Sequence, residues 1–309
     1  MNDIEKSLAV LENIKPYSGY VAKGFTVDFL GCLTDANFRT MWGVDPDQQG
    51  GCLVSTGCPV ATDGEGFFEA IDWIEAAREA RETYTMMTLG ACYGYQAVGA
   101  YRALMEVNPM RAKLVAVEAD PGNFAWLKKN FRDNGLDPDQ HWLLQCAMSD
   151  TNKPVLFPVG STGLGNNDCE YTRDGARRLE YVQEILADRN LTDRVASLII
   201  DGDTGIEQNF APSFNLPARL KFVSAVTLPD LLGPFDRVDL LEADMQNSEK
   251  VVFPPAMDLI KAKVKRLHIG THVAGVHEEL LDALSRRRFE IIFNYLPTTH
   301  YDTLGDRST

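Results

Sequence analysis

The chain has 309 residues, 45% of them hydrophobic, and its 30 basic and 44 acidic side chains give a net charge of −14. This length fits one large α/β domain with an extension, or two domains, while the charge disfavours nucleic acid and anionic membranes as partners. Since no apolar run approaches the roughly 20 residues of a membrane span and the six cysteines form no CxxC pair, we expect a cytoplasmic protein with free thiols.

The N-terminal part of the chain combines two helical patterns with an irregular segment. Apolar residues from Ile4 to Ile14 recur at helical spacing and predict a short amphipathic helix. Residues 15–64 are rich in glycine, proline, aspartate and threonine, which favours turns over regular elements. A helical pattern returns over about 65–82. Residues 1–82 are therefore interpreted as an N-terminal helix and an irregular cap.

From residue 84 onward, short apolar strands alternate with helices. Strands are predicted over residues 84–89, 114–117, 141–148, 155–157, 238–243, 264–270 and 289–296. Helices are predicted over residues 95–107, 121–135, 248–262 and 277–287. This alternation predicts a mostly parallel sheet with helices on both faces. Ligands of such sheets bind beyond the carboxyl ends of the strands.

Residues 159–218 interrupt the alternation and are interpreted as an insertion. They contain a glycine-rich turn, the amphipathic helix ARRLEYVQEILADRN and the apolar run ASLII. Asp201, Asp203 and Glu207 in DGDTGIEQ do not have the spacing of a complete calcium loop, so a polar turn is the better interpretation. About 60 residues are more than a connection between two strands requires.

Two of the predicted strands end in residues suited to an adenosine-type ligand. The run Leu89-Gly90-Ala91-Cys92-Tyr93-Gly94 places two glycines at a strand-to-helix turn, where a ligand can approach the backbone closely. Glu118 ends the next strand, where a carboxylate can accept two hydrogen bonds from a ribose diol. Asp120 precedes Pro121 and is interpreted as the N-cap of the following helix. The dinucleotide pattern GxGxxG is absent, which favours S-adenosylmethionine over a dinucleotide.

Five blocks of the sequence carry a resemblance to a known family. They are TMMTLGACYGY, LVAVEADPGNFAWLKKNFRDNGLD, QCAMSD, VDLLEADMQNSE and RLHIGTH. In order and approximate spacing they resemble the FkbM-type S-adenosylmethionine-dependent methyltransferases, and GFTVDFLG and FFEAIDWIEAAREA are less specifically similar to the family's N-terminal extension. The resemblance implies a class I methyltransferase, Rossmann-like α/β fold over residues 83–309. It also implies S-adenosylmethionine as cofactor and O-methylation of a hydroxyl on a sugar or a natural product.

The resemblance further implies roles for individual residues. The cofactor-binding set comprises Gly90, Ala91, Tyr93, Gly94, Glu118, Ala119, Ala147, Met148 and Ser149. Within it, Glu118 would hold the ribose, and Ala147–Ser149 would border the adenine. Tyr93 and Tyr95 could present an aromatic face to the sulfonium, although core packing of at least one of them is favoured.

Asp244 and His272 are the candidates for a catalytic base. Each follows a predicted strand at the ligand edge of the sheet, and an alcohol at neutral pH needs help in losing its proton. An orienting hydrogen bond is the alternative role for His272, and helix capping is the alternative for Asp244. His268 is interpreted as a hydrogen-bonded core residue. On an extended strand it would lie about 13 Å from His272, too far for both to bind one metal ion, and no metal site is predicted.

Two alternatives stay open, one of them because the sequence departs from the family pattern. Thr88 stands where the family has an acid, Asn247 where glycine is usual and Glu242 where lysine is common. These changes allow a non-catalytic S-adenosylmethionine-binding protein of the same fold, and an NAD(P)-dependent Rossmann oxidoreductase is the other alternative. We expect residues 15–64 and the insertion to form the acceptor pocket or its lid. A small neutral or cationic acceptor is the expected partner, and homo-oligomerisation stays open.

Overall fold

The computed structural model describes residues 3–160, 203–211, 216–246 and 248–296. Several predicted features lie outside the described residues, namely the glycine-rich turn after residue 160, the helix ARRLEYVQEILADRN, the run ASLII, Asp201 and Asn247. In the described ranges, no helix combines the length and the apolar content that crossing a membrane requires.

The N-terminal region begins with the predicted amphipathic helix, α1 (Asp3–Leu11). Residues 15–64, for which no regular elements were expected, contain short strands: β1 (Ser18–Val21), β2 (Phe25–Val27), β3 (Leu33–Asp35) and β4 (Cys52–Ser55). Strand β1 pairs with β4, and β2 with β3, both antiparallel. A 3-10 helix, Ala36–Trp42, follows β3. The prediction of an irregular segment is thus wrong in part, because each strand is only three or four residues long and carries little periodicity.

The rest of the chain alternates strands with helices. Its strands are β5 (Thr83–Leu89), β6 (Arg111–Glu118), β7 (Trp142–Gln145), β8 (Ala147–Ser149), β9 (Val155–Val159), β10 (Asp203–Ala211), β11 (Leu216–Val223), β12 (Ala225–Thr227), β13 (Val238–Ala243) and β14 (Val264–Ile269). Its helices are α2 (Glu65–Glu79), α3 (Tyr95–Val107), α4 (Pro121–Asp133), α5 (Leu228–Leu232), α6 (Glu249–Val252), α7 (Met257–Lys263) and α8 (Ala274–Arg286).

The main sheet has five parallel strands in the order β14-β13-β5-β6-β7. After β5 the chain adds β6 and β7 on one side, and it later adds β13 and β14 on the other side. The order of the strands therefore reverses between the neighbours β5 and β13. Strand β8 pairs in parallel with β12, and β9, β11 and β10 form a separate antiparallel sheet. The predicted α/β fold, of the class I Rossmann-like type, is confirmed.

Apolar side chains cover both faces of this sheet. Met86 and Leu114 point to the core formed with α2, α3 and α4, which contains the fully buried Trp73. Met87 and Val115 point to the opposite core, formed with α5, α6, α7 and α8. Because successive strand residues alternate between the faces and both faces are buried, these strands are continuous apolar runs in the sequence.

Two predictions within residues 203–262 are wrong in detail. The helix expected over 248–262 is divided into α6 and α7. The break coincides with Pro254 and Pro255, since proline has no N–H for the helical ladder and its ring clashes with the preceding turn. Asp203 and Glu207, expected in a polar turn, lie in strand β10, which pairs with β11.

Residues 289–296, predicted as a further strand, form no strand in the part of the chain that is described. This segment follows α8 and runs beside the edge strand β14. Its aromatic residues Phe293 and Tyr295 pack on Phe68 of α2, each with its ring centroid 4.8 Å from that of Phe68. These two aromatic residues thus pack against a helix rather than pairing in the sheet, while Ile291, Ile292 and Leu296 are exposed.

Candidate active site

A cleft lies at the carboxyl ends of β5, β6 and β13, where the order of the strands reverses. It is partly open to solvent. Its walls are Gly90, Cys92, Val117, Glu118, Ala119, Asn123, Cys146, Ala147, Met148, Phe157, Asp244, Met245, Gln246 and Ser248. This edge of the sheet is the usual position of a ligand site in open α/β sheets.

The cleft brings together only part of the predicted site. Six of the predicted residues line it: Gly90, Glu118, Ala119, Ala147, Met148 and Asp244. The remaining predicted residues, Ala91, Tyr93, Gly94, Ser149 and His272, lie outside its lining. Ala91 is fully buried and Ser149 is almost so. Asn123, Phe157 and Ser248 also line the cleft although none of them was predicted as a site residue, and only Asn123 and Ser248 lie in blocks that carry the resemblance.

The two glycines of the first turn serve different purposes. Gly90 has a φ of +78°, and a Cβ at this position would lie 2.0 Å from the carbonyl oxygen of Asp244. Only glycine therefore permits the chain after β5 to approach the chain after β13 so closely. Gly94 has a φ of +79° and faces α4, where its Cβ would lie 3.2 Å from Leu127 Cγ. Gly90 thus shapes the cleft, whereas Gly94 allows α3 and α4 to pack.

Glu118 joins the first turn to the end of the second strand. Its Oε2 accepts a hydrogen bond of 2.7 Å from the Cys92 N–H, and its Oε1 accepts one of 2.7 Å from the Asp120 N–H. Burial raises the pKa of this carboxyl to about 8, against the effect of these two bonds. A carboxylate has about four acceptor positions, so Glu118 keeps capacity for further donors from the cleft.

Asp120 is the predicted N-cap of α4, and the structure confirms it. One carboxylate oxygen accepts hydrogen bonds from the N–H groups of Gly122 at 2.7 Å and Asn123 at 2.9 Å. The other oxygen accepts one of 2.7 Å from the N–H of Gly160, at the start of the predicted insertion. The insertion therefore begins beside the cleft.

Tyr93 and Tyr95 face the N-terminal region. Their rings stack with centroids 6.0 Å apart, and Tyr93 also contacts the ring of Phe38 at 4.3 Å. Arg39 donates a hydrogen bond to the hydroxyl of Tyr93, and Tyr95 donates one of 3.1 Å to Asp28. Core packing, rather than lining of the cleft, thus accounts for both tyrosines in this structure.

Asp244 and His272 form a hydrogen-bonded pair at the rim of the cleft. His272 Nε2 lies 2.7 Å from Asp244 Oδ1, and each side chain is 36% exposed. This hydrogen bond and the charge of Asp244 raise the pKa of His272, while partial burial opposes them. With Nε2–H donated to the carboxylate, Nδ1 is the ring nitrogen left to accept a proton.

The pair also stands between two cavities. Asp244 lines the cleft, whereas His272 lines a second cavity that runs along the edge of β14 toward residues 289–296. The Gln246 amide donates a further hydrogen bond of 3.2 Å to Asp244 Oδ1. The imidazole is thus held by a carboxylate on one side and accessible from the other.

His268 lies in the interior, as predicted, and is hydrogen-bonded. Its Nδ1 is 2.8 Å from Asp72, a residue of α2 that also forms an ion pair of 3.0 Å with Arg266. Burial lowers the pKa of His268, but the hydrogen bond and charge of Asp72 outweigh this and raise it to about 10. His268 therefore belongs to a separate paired group beneath α2.

A buried carboxyl, Glu242, lies in the same layer. It accepts a hydrogen bond of 3.0 Å from the indole N–H of Trp73 and stands in register between Thr88 of β5 and His268 of β14. Burial, together with the charge of Glu69, raises its pKa well above the usual range. Glu242 thus places a buried carboxyl beside Thr88 of the neighbouring strand. In the sequence, this carboxyl is visible as an acid inside the apolar strand VDLLEA.

Comparisons with known proteins leave the family unassigned. No protein-family model and no curated protein matches the chain. Three solved structures with a TM-score of 0.23 are similar to part of it. The first is a Pyrococcus horikoshii protein provisionally described as a transferase, with 16% identity over 41% of this chain and 38% of that one.

The second of these structures is a SAM-dependent methyltransferase from Agrobacterium tumefaciens, with 15% identity over 45% of this chain and 41% of that one. The third is TYW2 of Pyrococcus horikoshii in complex with MeSAdo, with 17% identity over 47% of this chain and 46% of that one. The matched region spans less than half the length of each of these three proteins.

Proposed function

We propose that the chain is an S-adenosylmethionine-dependent methyltransferase of the FkbM type, acting on a hydroxyl of a small acceptor such as a sugar or glycosylated natural product. The observation that carries the proposal is that Gly90, Glu118 and Asp244 line one cleft, with His272 bonded to Asp244 at its rim. The cleft thus combines three features: a turn at Gly90 whose backbone a ligand can approach closely, a hydrogen-bond acceptor for a ribose at Glu118, and the Asp244–His272 pair as candidate base.

The chemistry of the walls fits the cofactor. Glu118 has acceptor capacity for the two hydroxyls of a ribose. Met148 and Phe157 offer apolar surface of the kind that an adenine ring contacts. The hydroxyl of Ser248 is buried in the wall and has no hydrogen-bond partner among the described residues, so it is available to the polar end of a ligand.

The pair at the rim can remove a proton from an acceptor hydroxyl. When bound, S-adenosylmethionine supplies a methyl group that is already activated as a sulfonium. The remaining requirement is an oriented oxygen that loses its proton as it reacts. In this proposal Nδ1 of His272 accepts that proton, while the Nε2–H group of the same ring remains hydrogen-bonded to Asp244. The carboxylate of Asp244 then stabilises the imidazolium. Since His272 is partly exposed, the proton can then pass to water.

The surroundings of the cleft support an acceptor pocket built from the N-terminal region and the insertion. The 3-10 helix Ala36–Trp42 reaches the turn after β5 through Arg39 and Phe38, which both contact Tyr93. At the other side, Gly160 bonds to Asp120 beside the cleft. These contacts with the turn after β5 and with Asp120 support the proposal that both segments contribute to an acceptor pocket or its lid.

The test separates cofactor binding from transfer. Calorimetric titration with S-adenosylhomocysteine and, separately, with NADH should show binding of the first only. Incubation with S-adenosylmethionine and a panel of methyl glycosides should then give products heavier by one methylene group in mass spectra. Binding of NADH alone would support the oxidoreductase instead. Tight S-adenosylhomocysteine binding with no methylated product across the panel would favour the non-catalytic alternative.

A further inference from the structure

Glu65, the first residue of α2, lies beside the Asp244–His272 pair. A Cβ built on Gly270 would stand 2.8 Å from Glu65 Oε1 and 3.5 Å from Asp244 Cβ. The carboxylate of Glu65 therefore rests on the backbone of Gly270, on the side that Asp244 also occupies. Three elements, α2 and the ends of β13 and β14, thus bring Glu65, Asp244 and His272 to one place.

The charges around His272 are mostly negative. Asp244 contacts it directly, Glu249 of α6 faces it from the buried side, and Glu65 faces it from α2. Glu65 in turn faces Glu69 on its own helix and His268 on β14. Unlike Asp72, Glu65 has no ion pair within the described ranges, and it lines the second cavity together with His272. Burial and the charges of Glu69 and Asp244 raise the pKa of Glu65, while His268 and His272 oppose this rise. The charge of Glu65 therefore acts on these two histidines.

We propose that Glu65 is a positioning residue of this site, whose carboxylate, seated on Gly270, stabilises the imidazolium form of His272 beside Asp244. The role rests on the proposed function, because it matters for transfer only if His272 accepts the proton of the acceptor. A second carboxylate on the imidazolium lowers the free energy of the state that follows proton removal.

A purely structural role for Glu65 predicts a different outcome. An acid in the first turn of a helix interacts favourably with the helix dipole. If this were its only contribution, Glu65→Gln would change the stability of α2 without changing the titration of His272. The titration of His272 therefore separates the two roles, and it requires neither cofactor nor acceptor.

The experiment is an NMR titration of the histidine ring signals in the full chain, with the His272 signal identified by its loss in His272→Gln. Glu65→Gln should lower the pKa of His272 by about half a unit. Glu79→Gln is the matched control, because it removes the same charge from the other end of the same helix. It should leave the titration of His272 unchanged.

Gly270→Ala tests the geometry independently. The backbone of Gly270 is not in the left-handed region, so the added methyl group meets chiefly the mobile end of Glu65. It should displace the carboxylate and lower the pKa of His272, but have no further effect in the Glu65→Gln background. The proposal is overturned if Glu65→Gln acts no more strongly than Glu79→Gln, or if Gly270→Ala acts equally with and without Glu65. Neither result would depend on whether methyl transfer is ever observed.

Discussion

Asp244 and His272 lie 28 residues apart in the chain, yet their side chains meet at 2.7 Å. Each is located just beyond the end of a strand, and Ala243 of β13 is in register with Ile269 of β14. Because parallel neighbours end at the same edge of the sheet, the residues that follow them are brought side by side. The pair is therefore a product of the sheet register.

Asp244→Asn and His272→Gln should each slow methyl transfer by about 100-fold, the usual contribution of a general base. The reason is that His272→Gln removes the proton acceptor, and Asp244→Asn removes the carboxylate that stabilises its protonated form. Turnover with a methylated acceptor from the panel measures this effect, and calorimetry of S-adenosylhomocysteine should show unchanged affinity for His272→Gln. His141→Gln, far along the sheet, is the control and should retain full turnover. Wild-type rates in both site variants would remove the base assignment.

Glu118→Gln should weaken adenosine binding by about tenfold or more, because a carboxylate that can accept hydrogen bonds from the ribose is lost. The binding should also be pH-dependent in the wild type. The pKa of Glu118 is raised to about 8, so affinity should increase as the pH rises from 6 to 8 and the carboxylate forms. Adenosine carries no group that titrates in this range. Calorimetry at several pH values would contradict this role if both proteins showed the same flat profile.

Gly90→Ala should destabilise the fold far more than Gly135→Ala. Both glycines have a φ near +78°, so both substitutions incur a left-handed backbone cost of about 1–2 kcal/mol. At Gly135 no atom lies within 4 Å of the added Cβ, whereas at Gly90 the carbonyl oxygen of Asp244 lies at 2.0 Å. We expect an additional loss of at least about 2 kcal/mol at Gly90. Urea denaturation measures the difference, and equal midpoints for the two variants would contradict the close approach.

The ion pair of His268 with Asp72 should make stability depend on pH. The pKa of His268 is about 10 in the folded state, above its ordinary value of 6.5. Its contribution is therefore fully present below about pH 6.5 and is lost as the pH rises toward 10. His268→Gln should lower the free energy of unfolding by about 1–3 kcal/mol at pH 6 and by little at pH 10.

Urea titrations at several pH values measure the difference in free energy of unfolding between the wild type and His268→Gln. Carboxyls with raised pKa values, such as Glu118, are present in both proteins, so their contributions cancel in this difference. His141→Gln is the control, because burial lowers the pKa of His141 below its ordinary value of 6.5. Its effect on the free energy of unfolding therefore varies with pH only below about 6.5. A difference between wild type and His268→Gln that stays constant from pH 6 to 10 would show that His268 is neutral in the fold.

Local patterns in the sequence were sufficient for most elements and for part of the site. Strands β5, β6 and β13 were predicted because their buried residues form short apolar runs, interrupted in β13 by Asp239 and Glu242. The N-cap role of Asp120 was predicted because capping involves only residues two and three positions away. The position of Glu118 at the end of β6 was predicted because the end of a strand can be located from its own composition.

Only the tertiary structure decided which of these local features meet. It paired Asp244 with His272, Trp73 with Glu242 and Asp72 with His268, contacts between residues far apart in the chain. It also showed that Phe293 and Tyr295 pack on Phe68 of α2, and that residues 289–296 form no strand. The physical reason is that periodicity records whether a side chain is buried, whereas its partner depends on strand order and register. These are set by the packing of the whole chain.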